Sequence, residues 1–510
     1  MSRCDFQNRL RGAKGPSMFD LKIMGGRVID PETSRDEVTD VAIKDGTIVA
    51  IGSISGPAKK TVNAEGLVVT PGFIDLHGHG QSIPADRMQA YDGVTTSLEL
   101  EIGVLPVARW YDEQAAAGRV LNYGASTGWI FGRIAAMTSQ QTESTIEGMG
   151  LAMRDPRWTG TASPQETVEI VDRVRAGLEQ GALGIGFPNG YAPGAGMKEL
   201  SELCSLAASV GTPTFTHIAF MSNIDPMSSI DAYTRLIGLA GSTGAHMHIC
   251  HFNSTSLLDV ERAAGLVRNA QAQGLKVTVE AYPYGTGSTV IGAGFFSDPA
   301  FPERFGTDYN AIELVASRHR FRDREELLQA QQDNSGALVL IHFLDVTANE
   351  RHRELLDVSI MYPGGAIASD AVPWTLTNGS TYVGDAWPLP DDAVSHPRSS
   401  GTFTKFLKEW VRERQVISLS EGLRKCTLIP AQILEGCAPA MRKKGRIQVG
   451  CDADIGVFDY ESLTDRADFF RMNAASEGFR HLFVFGEAVI ANGDLVKDAR
   501  PGRPVRRPTL

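Results

Sequence analysis

Short apolar runs alternate with periodically apolar segments through the middle of the chain. In the periodic segments, apolar residues recur every three to four positions, which predicts amphipathic helices, whereas the short runs predict buried strands. The clearest predicted helix begins at Ser163-Pro164-Gln165-Glu166, because serine and glutamate form a capping box and proline favours the first helical position. Strands that alternate with helices in this way are typical of parallel βα units.

The number of strand-like runs predicts the fold class. They lie at residues 97–103, 182–186, 213–217, 247–251, 277–281, 338–342 and 366–370. This number favours an α/β fold of the (β/α)8 TIM-barrel type over an open doubly wound sheet. No GxGxxG or GxxxxGK[ST] motif follows a strand, so the sequence gives no support to a nucleotide-binding fold.

The two ends of the chain predict a second, smaller domain. Both carry short strands separated by turns, such as Asp45-Gly46 near the start and Asn492-Gly493 near the end. Neither end has enough strands to bury a core alone, so we expect the two to form one small β-sandwich. The predicted boundaries are an N-terminal extension or misassigned start at 1–17, the β-sandwich at 18–70 and 435–510, and the barrel at 71–434 with insertions near 291–335 and 373–395.

Composition and charge limit the classes of function that this protein can have. The chain has 510 residues, of which 42% are hydrophobic and 21% charged, as is typical of a globular protein with more than one domain. Its net charge of -11 argues against a nucleic-acid partner. No apolar run is long enough to span a membrane, and the polar start is not a secretory signal. The six cysteines form no CxxC pair, which favours reduced thiols in a cytoplasmic protein.

The stretch from Val68 to Gly80 carries the first sign of chemistry. Apolar residues lead up to Asp75, and His77 and His79 follow two positions apart. Residues at i and i+2 of a strand share one face, so the two imidazoles project side by side and can hold a divalent metal. The glycines between and after them leave room for the backbone to turn and for a substrate to approach.

Three further candidate ligands end later strands. His217, His251 and Asp370 each close a predicted strand, and the C-terminal ends of barrel strands converge on one site. Histidines and an aspartate around a zinc-type metal leave a position for water, which is the pattern of a catalytic site. Asp370 is then placed to act as general base and acid. His248 is excluded because it alternates out of phase with His251, and His246 because it precedes the strand end.

An acidic strand offers one more ligand. In residues 97–103, Glu99 and Glu101 share the face opposite to the apolar side chains. Carboxylates inside a barrel are costly to bury unless they are paired or bound to a metal. Glu101 lies nearer the C-terminal end, so it is favoured as a ligand that bridges two metals. Glu99 in its place, or a carboxylate with a purely structural role, are the alternatives.

These motifs resemble those of the amidohydrolase superfamily, which comprises metal-dependent hydrolases built on a β/α barrel. Along most of residues 18–510 the chain is similar to its D-aminoacylase (N-acyl-D-amino-acid deacylase) family. The matching stretches are residues 181–186 with 191–194, 216–217, 249–251, 282–284 with 287–289, 369–370, 396–403, 445–447 with 450–454, and 500–502. The resemblance implies hydrolysis of an N-acyl amide with one or two zinc ions, or another divalent metal. It also implies that Tyr191 and Tyr282 contact the substrate and that Arg398 holds its carboxylate.

The chain departs from that family in ways that bear on the substrate. The family has a metal-bridging cysteine near residue 102, where this strand offers only glutamates. The lysine that usually helps to bind the carboxylate is replaced by Asn253, and the residues after His217, at 218–221, are apolar. An aromatic-rich insertion lies at 373–388. Fewer cations and more apolar groups favour a bulkier, less acidic substrate.

The prediction is therefore a metal-dependent amidohydrolase that cleaves a linear amide such as an N-acyl-D-amino acid. Its predicted metal ligands are His77 and His79 for the more buried ion, His217 and His251 for the other, Glu101 between them, and Asp370. Two alternatives stay open, a hydrolase of cyclic amides or ureides like the hydantoinases and a non-catalytic barrel scaffold. The expected partner is a small-molecule amide, with no nucleic acid and no membrane. The sequence leaves the oligomeric state open, including a homo-oligomer.

Overall fold

The computed structural model describes residues 18–138 and 140–509, so the predicted N-terminal extension at 1–17 lies outside the described residues. The strands are β1 (Phe19–Asp30), β2 (Arg35–Lys44), β3 (Thr47–Gly52), β4 (Ala58–Asn63), β5 (Val68–Pro71), β6 (Phe73–Asp75), β7 (Val94–Val104), β8 (Asn122–Gly128), β9 (Ile185–Pro188), β10 (Pro213–His217), β11 (His246–Ile249), β12 (Val277–Ala281), β13 (Thr286–Val290), β14 (Ile312–Leu314), β15 (Leu338–His342), β16 (Ala366–Ile367), β17 (Thr375–Leu376), β18 (Ala393–Val394), β19 (Ile455–Phe458), β20 (Phe479–Val484), β21 (Glu487–Ala491) and β22 (Asp494–Leu495). The α-helices are α1 (Ile83–Tyr91), α2 (Val107–Ala117), α3 (Trp129–Met137), α4 (Ile146–Ala152), α5 (Pro164–Glu179), α6 (Met197–Ser209), α7 (Ser229–Thr243), α8 (Phe252–Ser256), α9 (Val260–Ala272), α10 (Phe301–Phe305), α11 (Arg324–Asp333), α12 (Glu350–Ile360), α13 (Phe403–Phe406), α14 (Leu419–Cys426) and α15 (Leu428–Leu434). Single turns of 3-10 helix and a π-helix at Leu407–Glu413 complete the set.

Eight parallel strands form the barrel and confirm the predicted fold class. Their order around the sheet is β16-β12-β11-β10-β9-β8-β7-β6. The predicted helix after Ser163 is confirmed as α5, in which the Ser163 backbone N–H donates to the Glu166 carboxylate at 2.7 Å. Because all eight strands run in one direction, their C-terminal ends lie at one end of the barrel.

Asp75 joins the first and last barrel strands. One oxygen of its buried carboxylate accepts hydrogen bonds from the backbone N–H of His77 at 3.1 Å and of Ser369 at 3.0 Å. Backbone bonds between residues 77–79 and Ala371 continue this connection, including His79 N–H to Ala371 O at 2.7 Å. The side chain that ends β6 therefore closes the barrel and fixes the two segments that carry candidate ligands.

One strand forms as predicted but lies in a different sheet. The run 338–342 is β15, which pairs antiparallel with β13 and β14 outside the barrel. The expectation that it is a barrel strand was wrong, and β8, which the sequence reading did not single out, completes the eight. An apolar run of five residues predicts a buried strand, but its pattern does not specify which partners it pairs with.

The two ends of the chain pair with each other in one sheet, which forms the small domain. Its order is β22-β21-β20-β19-β5-β1-β2-β3, with β4 paired to β1. β5 pairs in parallel with β1 from the N-terminal end and antiparallel with β19 from the C-terminal end, with Val69 opposite Val457. The last strand of the N-terminal segment thus leads directly into β6 of the barrel. No helix in the described part of the chain is long and apolar enough to cross a membrane.

Candidate metal centre

The structure brings the six predicted metal ligands together at the C-terminal end of the barrel. Each lies in or directly after a barrel strand and is at least nine-tenths buried, namely His77, His79, Glu101, His217, His251 and Asp370. Two of them, His251 with φ 34° and Asp370 with φ 51°, have left-handed backbone conformations. Non-glycine residues keep such a conformation only where the surroundings impose it, and these cases cluster at functional sites.

The first candidate group consists of His77, His79 and Glu101. The His77 Nε2 atom lies 3.1 Å from His79 Nε2 and 3.1 Å from Glu101 Oε2, and His79 Nε2 lies 3.2 Å from the same oxygen. Ligands of a tetrahedral zinc ion are about 3.3 Å apart, given zinc–nitrogen bonds of about 2.0–2.1 Å. The three atoms are therefore spaced as ligands of one metal ion.

The second candidate group shares Glu101 with the first. Its other carboxylate oxygen, Oε1, lies 3.0 Å from His217 Nδ1 and 3.1 Å from His251 Nε2. Each oxygen of the carboxylate thus faces a pair of histidines. Such an arrangement suits two ions with one carboxylate between them.

The hydrogen bonds behind the first pair of histidines test whether a cation fits. His77 Nδ1 lies 2.5 Å from a Glu280 oxygen, and His79 Nδ1 lies 2.9 Å from a Glu99 oxygen. Carboxylates accept, so each Nδ1 carries a proton and donates it to the carboxylate behind its ring. The metal-binding atom of each ring is then Nε2, and the two Nε2 atoms lie 3.1 Å apart with Glu101 Oε2 beside both. The donor set therefore fits a metal ion.

Buried carboxylates dominate the electrostatics of the site. Burial alone lowers the pKa of His79, but Glu99 and Glu101 outweigh it and raise that pKa to about 9. Burial likewise opposes the charge on His77, and the surrounding carboxylates raise its pKa well above the usual value. In turn, His77 and its neighbours hold the pKa of Glu101 well below the usual range, against the effect of burial. The carboxylates therefore favour positive charge at these rings, supplied either by a proton or by a bound metal ion.

A bulge in β7 brings Glu101 to the centre of the barrel. Glu99 pairs with Ala125 of β8 and Val104 with Thr127, so β7 carries extra residues between the two pairs. The extra backbone passes over Gly186 of β9, where an added Cβ would lie only 2.4 Å from the Glu101 carbonyl oxygen. Glycine at this position of β9 therefore leaves room for the backbone of Glu101.

Substituting Gly186 by alanine should therefore displace Glu101. The added methyl group collides with backbone and not with a flexible side chain, so we expect a loss of about 1–3 kcal/mol in stability and weaker zinc binding. Zinc per chain and thermal unfolding measure both effects. Gly238→Ala in α7 is the matched control, since nothing lies within 4 Å of its added Cβ. Equal zinc content in the two variants would contradict the role of Gly186.

Glu99 is not a ligand in either of the two candidate groups. Both of its oxygens face His79 Nδ1, at 2.9 and 3.0 Å. It therefore orients His79 from behind, as carboxylates commonly do for metal-binding histidines. The geometry favours Glu101 over Glu99 as the shared ligand.

Glu280 is a functional residue that the sequence reading missed. It ends β12, is 1% exposed, and bonds to His77 through one oxygen and to His248 Nε2 at 3.1 Å through the other. From His248 the bonds continue to Thr278 Oγ1 at 2.9 Å and to His246 Nε2 at 2.8 Å. The excluded histidines thus lie outside the two groups but support them. An acidic residue in an otherwise apolar strand was the signal that pointed to Glu280.

Glu280→Gln should weaken zinc binding by about 10–100-fold, the usual effect of removing a carboxylate that orients a metal-binding histidine. The glutamine keeps the size of the side chain and loses only the charge that fixes the Nδ1–H tautomer of His77. Competition with a zinc chelator measures the affinity. His246→Gln, at the far end of the same hydrogen-bonded chain, should leave affinity as in the wild type. A similar loss in both variants would point to general destabilisation instead.

Asp370 faces the metal groups with one oxygen and Arg398 with the other. Its Oδ1 lies 3.4 Å from His77 Nε2, and its Oδ2 accepts from Arg398 Nη2 at 2.9 Å. Arg398 also donates to the Ser288 carbonyl at 3.2 Å, and its guanidinium lies 4.7 Å from the centre of the Tyr282 ring. Its Nε and Nη1 are buried and have no hydrogen-bond partner among the described residues.

A partly open cavity adjoins the metal groups. Tyr191 and Tyr282 line it, as predicted for substrate contacts, and the Tyr191 hydroxyl is 2.6 Å from Thr289 Oγ1. Arg398 lies behind the part of the wall formed by Tyr282 and Asp370. Asn253, which stands where the resembled family has a lysine, donates instead to the carbonyls of Tyr282 and Tyr284 at 3.0 and 3.1 Å.

The chain is similar to known proteins along almost its whole length. Residues 60–291 and 252–496 match the amidohydrolase family. The chain is 28% identical over 509 residues to an N-acyl-D-glutamate deacylase of Alcaligenes xylosoxydans xylosoxydans, with 96% of this chain and 97% of that protein covered. It is 25% identical over 505 residues to a D-aminoacylase of the same organism, with coverages of 92% and 94%.

Solved structures agree on the fold. The structure of N-acyl-D-glutamate deacylase from Bordetella bronchiseptica, complexed with zinc and a phosphonate inhibitor, has a TM-score of 0.75 at 24% identity, covering 96% of this chain and 100% of that one. A D-hydantoinase has a TM-score of 0.60 at 17% identity, with coverages of 96% and 99%. The deacylase fold is therefore the nearer of the two.

Proposed function

This chain belongs to the amidohydrolase family, and from that premise we propose that it hydrolyses a linear N-acyl-D-amino acid to a carboxylic acid and a free D-amino acid. The observation that carries the proposal is the Glu101 carboxylate, whose two oxygens each face two histidines beside Asp370 and a partly open cavity. The names of the relatives support the substrate class, since two that span the chain are deacylases or aminoacylases of D-amino acids.

We assign each candidate ligand a role on this basis. His77 and His79 would hold the more buried ion, His217 and His251 would hold the other, and Glu101 would be a ligand of both. A zinc ion there, or another divalent metal, supplies Lewis acidity that lowers the pKa of water toward neutrality and polarises a carbonyl oxygen. Burial lowers the pKa of His217, which keeps that ring neutral and able to bind a metal.

Asp370 is proposed as the general base and acid. Arg398 holds its Oδ2, so Oδ1 stays turned toward the metal groups. This oxygen accepts the proton of the attacking water and then passes it to the amide nitrogen as the carbon–nitrogen bond breaks. The ion pair therefore fixes the orientation of the base.

Arg398 is proposed to recognise the carboxylate of the substrate. Its buried Nε and Nη1 have no hydrogen-bond partner among the described residues, and buried donors without partners are costly. A substrate carboxylate that reaches past Ser288 would pair with these two donors in the two-point geometry that guanidinium favours. A cyclic amide or ureide has no such carboxylate, which makes the hydantoinase-type reaction the weaker alternative.

A cytoplasmic location is proposed together with the activity. The five described cysteines are free and buried, as expected for a protein that keeps its thiols reduced. The expected partner is the small-molecule amide. The remaining alternative, a scaffold without chemistry, predicts no bound metal and no turnover.

The experiment that tests the proposal is metal removal and reconstitution. The protein is treated with a chelator, divided, and reloaded with zinc, manganese or iron. Each sample is then assayed for amine release from N-acetyl-D-amino acids, their L-enantiomers and hydantoin. We expect chelation to abolish activity, zinc to restore it, and the D-enantiomers to be the substrates. Opening of hydantoin in place of amine release would favour the cyclic reaction, and no turnover with any metal would favour the scaffold.

A further inference from the structure

The wall of the cavity is apolar over most of its area. Beside the metal groups and the two tyrosines, the side chains that face it are mainly aliphatic or aromatic, notably Ile146, Met221, Phe295, Phe305, Ile341 and Phe343. They come from α4, from the loop after β10 and from the segment that carries β13 to β15. The polar side chains in the rest of the wall, such as Ser254, Ser288 and Thr289, are uncharged hydroxyls. The wall therefore stabilises an apolar group and supplies no cation to a second charged one.

Aromatic packing holds part of this wall in place. The Phe295 ring lies 6.0 Å from Tyr191 and 5.5 Å from Phe305, measured between ring centres, and Phe305 lies 4.6 Å from Phe301. Tyr191 in turn lies 5.0 Å from the ring of the candidate ligand His217. The apolar wall therefore extends from the metal groups through rings that contact one another, so it is part of the reaction site.

Cations are scarce around the cavity. Among the described residues that line it, none is lysine or arginine. Arg398 lies directly behind the wall and already pairs with Asp370 through Nη2. Arg235 lies on the ring of Phe220, 4.6 Å from its centre, and does not line the cavity. The site thus offers a single guanidinium with two free donors, enough for one carboxylate.

We propose that the substrates of this site carry one carboxylate only, with an apolar side chain on the amino acid. The inference rests on the proposed function and narrows it to one class of N-acyl-D-amino acid. In such a substrate the amide carbonyl would lie at the metal groups, and the carboxylate would pair with Arg398. The side chain then contacts the apolar wall, where a second carboxylate would be buried without a partner. This preference differs from the substrate named for the N-acyl-D-glutamate deacylase that the chain resembles.

A matched pair of substrates tests the preference. N-acetyl-D-norleucine and N-acetyl-D-glutamate have side chains of similar length that differ in charge. With the zinc-loaded full chain, we expect kcat/KM for norleucine to exceed that for glutamate by about 100-fold or more. Equal values, or a preference for glutamate, would overturn the inference and leave the proposed function intact. Failure to hydrolyse any N-acetyl-D-amino acid would overturn the proposed function itself.

A variant with a cation in the cavity wall gives a second test of the charge preference, which does not depend on the wild-type rates. Met221 is half-buried, so Met221→Lys can direct its ammonium group to the cavity without burying it completely. We expect the glutamate-to-norleucine ratio of kcat/KM to rise by about tenfold or more, since a new ion pair then becomes available. Met221→Leu keeps the wall apolar and should retain the wild-type ratio. The same ratio in both variants would show that this wall does not set the charge preference.

Discussion

Substitution of Glu101 by alanine is expected to release bound zinc and to lower kcat by about 1000-fold or more, since the metal supplies several kcal/mol of transition-state stabilisation. The carboxylate contributes one oxygen to each candidate group. Its loss leaves each ion with two histidines and a weaker negative field, and both affinities should fall. Of the residues in the two candidate groups, Glu101 is the one that both share.

Zinc per chain, measured after dialysis against a metal buffer, is the direct readout of the Glu101 variant. Wild type should hold about two ions and Glu101→Ala about one or none, in line with two groups that share one ligand. Glu113→Ala is a suitable control, because Glu113 lies on α2 and its side chain is 53% exposed. One ion in both wild type and variant would show that Glu101 has a structural role and that the site is mononuclear.

Substitution of Asp370 by asparagine is expected to lower kcat by about 100- to 10,000-fold, the range contributed by a positioned general base. Asparagine keeps the shape and one oxygen of the side chain, so the loss isolates proton transfer. KM should change little, because Arg398 retains its free Nε and Nη1 for the substrate. Steady-state kinetics on a single N-acetyl-D-amino acid measure both constants.

Metal content separates the two roles proposed for Asp370. If zinc per chain is as in the wild type while kcat falls, the side chain acts as base. Parallel loss of zinc and kcat would instead reduce Asp370 to a metal ligand. Asp172→Asn serves as the control, since Asp172 lies on α5 with a side chain that is 68% exposed.

Local patterns determined the elements of this protein and most of its candidate chemistry. The apolar run before His77 and His79 ends a barrel strand, and the capping box at Ser163 begins a helix. His217 ends a barrel strand, and His251 and Asp370 come after barrel strands. Because the C-terminal ends of parallel barrel strands lie together, the sequence alone predicted that these three residues meet. These features could be predicted because each depends on residues that are adjacent, or nearly so, in the sequence.

The pairing of the two chain ends was predictable for a similar reason. Each chain end has strands that cannot bury a core alone, and pairing between the ends through β5 and β19 satisfies both. The assignment of β15 to the barrel failed because its apolar run is the same in either sheet. Pattern identifies a buried strand, whereas the partner depends on the loops that position it.

Only the tertiary structure decided which side chains orient the candidate ligands and which carboxylate the two groups share. Glu280 bonds to His77, which is 203 positions away in the sequence, and Arg398 pairs with the proposed base Asp370. Neither pairing has a signature in the sequence, because hydrogen bonds between distant segments depend on where the backbone places them. The choice of Glu101 over Glu99 is of the same kind. Both are carboxylates on one strand, and the bulge over Gly186 decides which of them reaches both pairs of histidines.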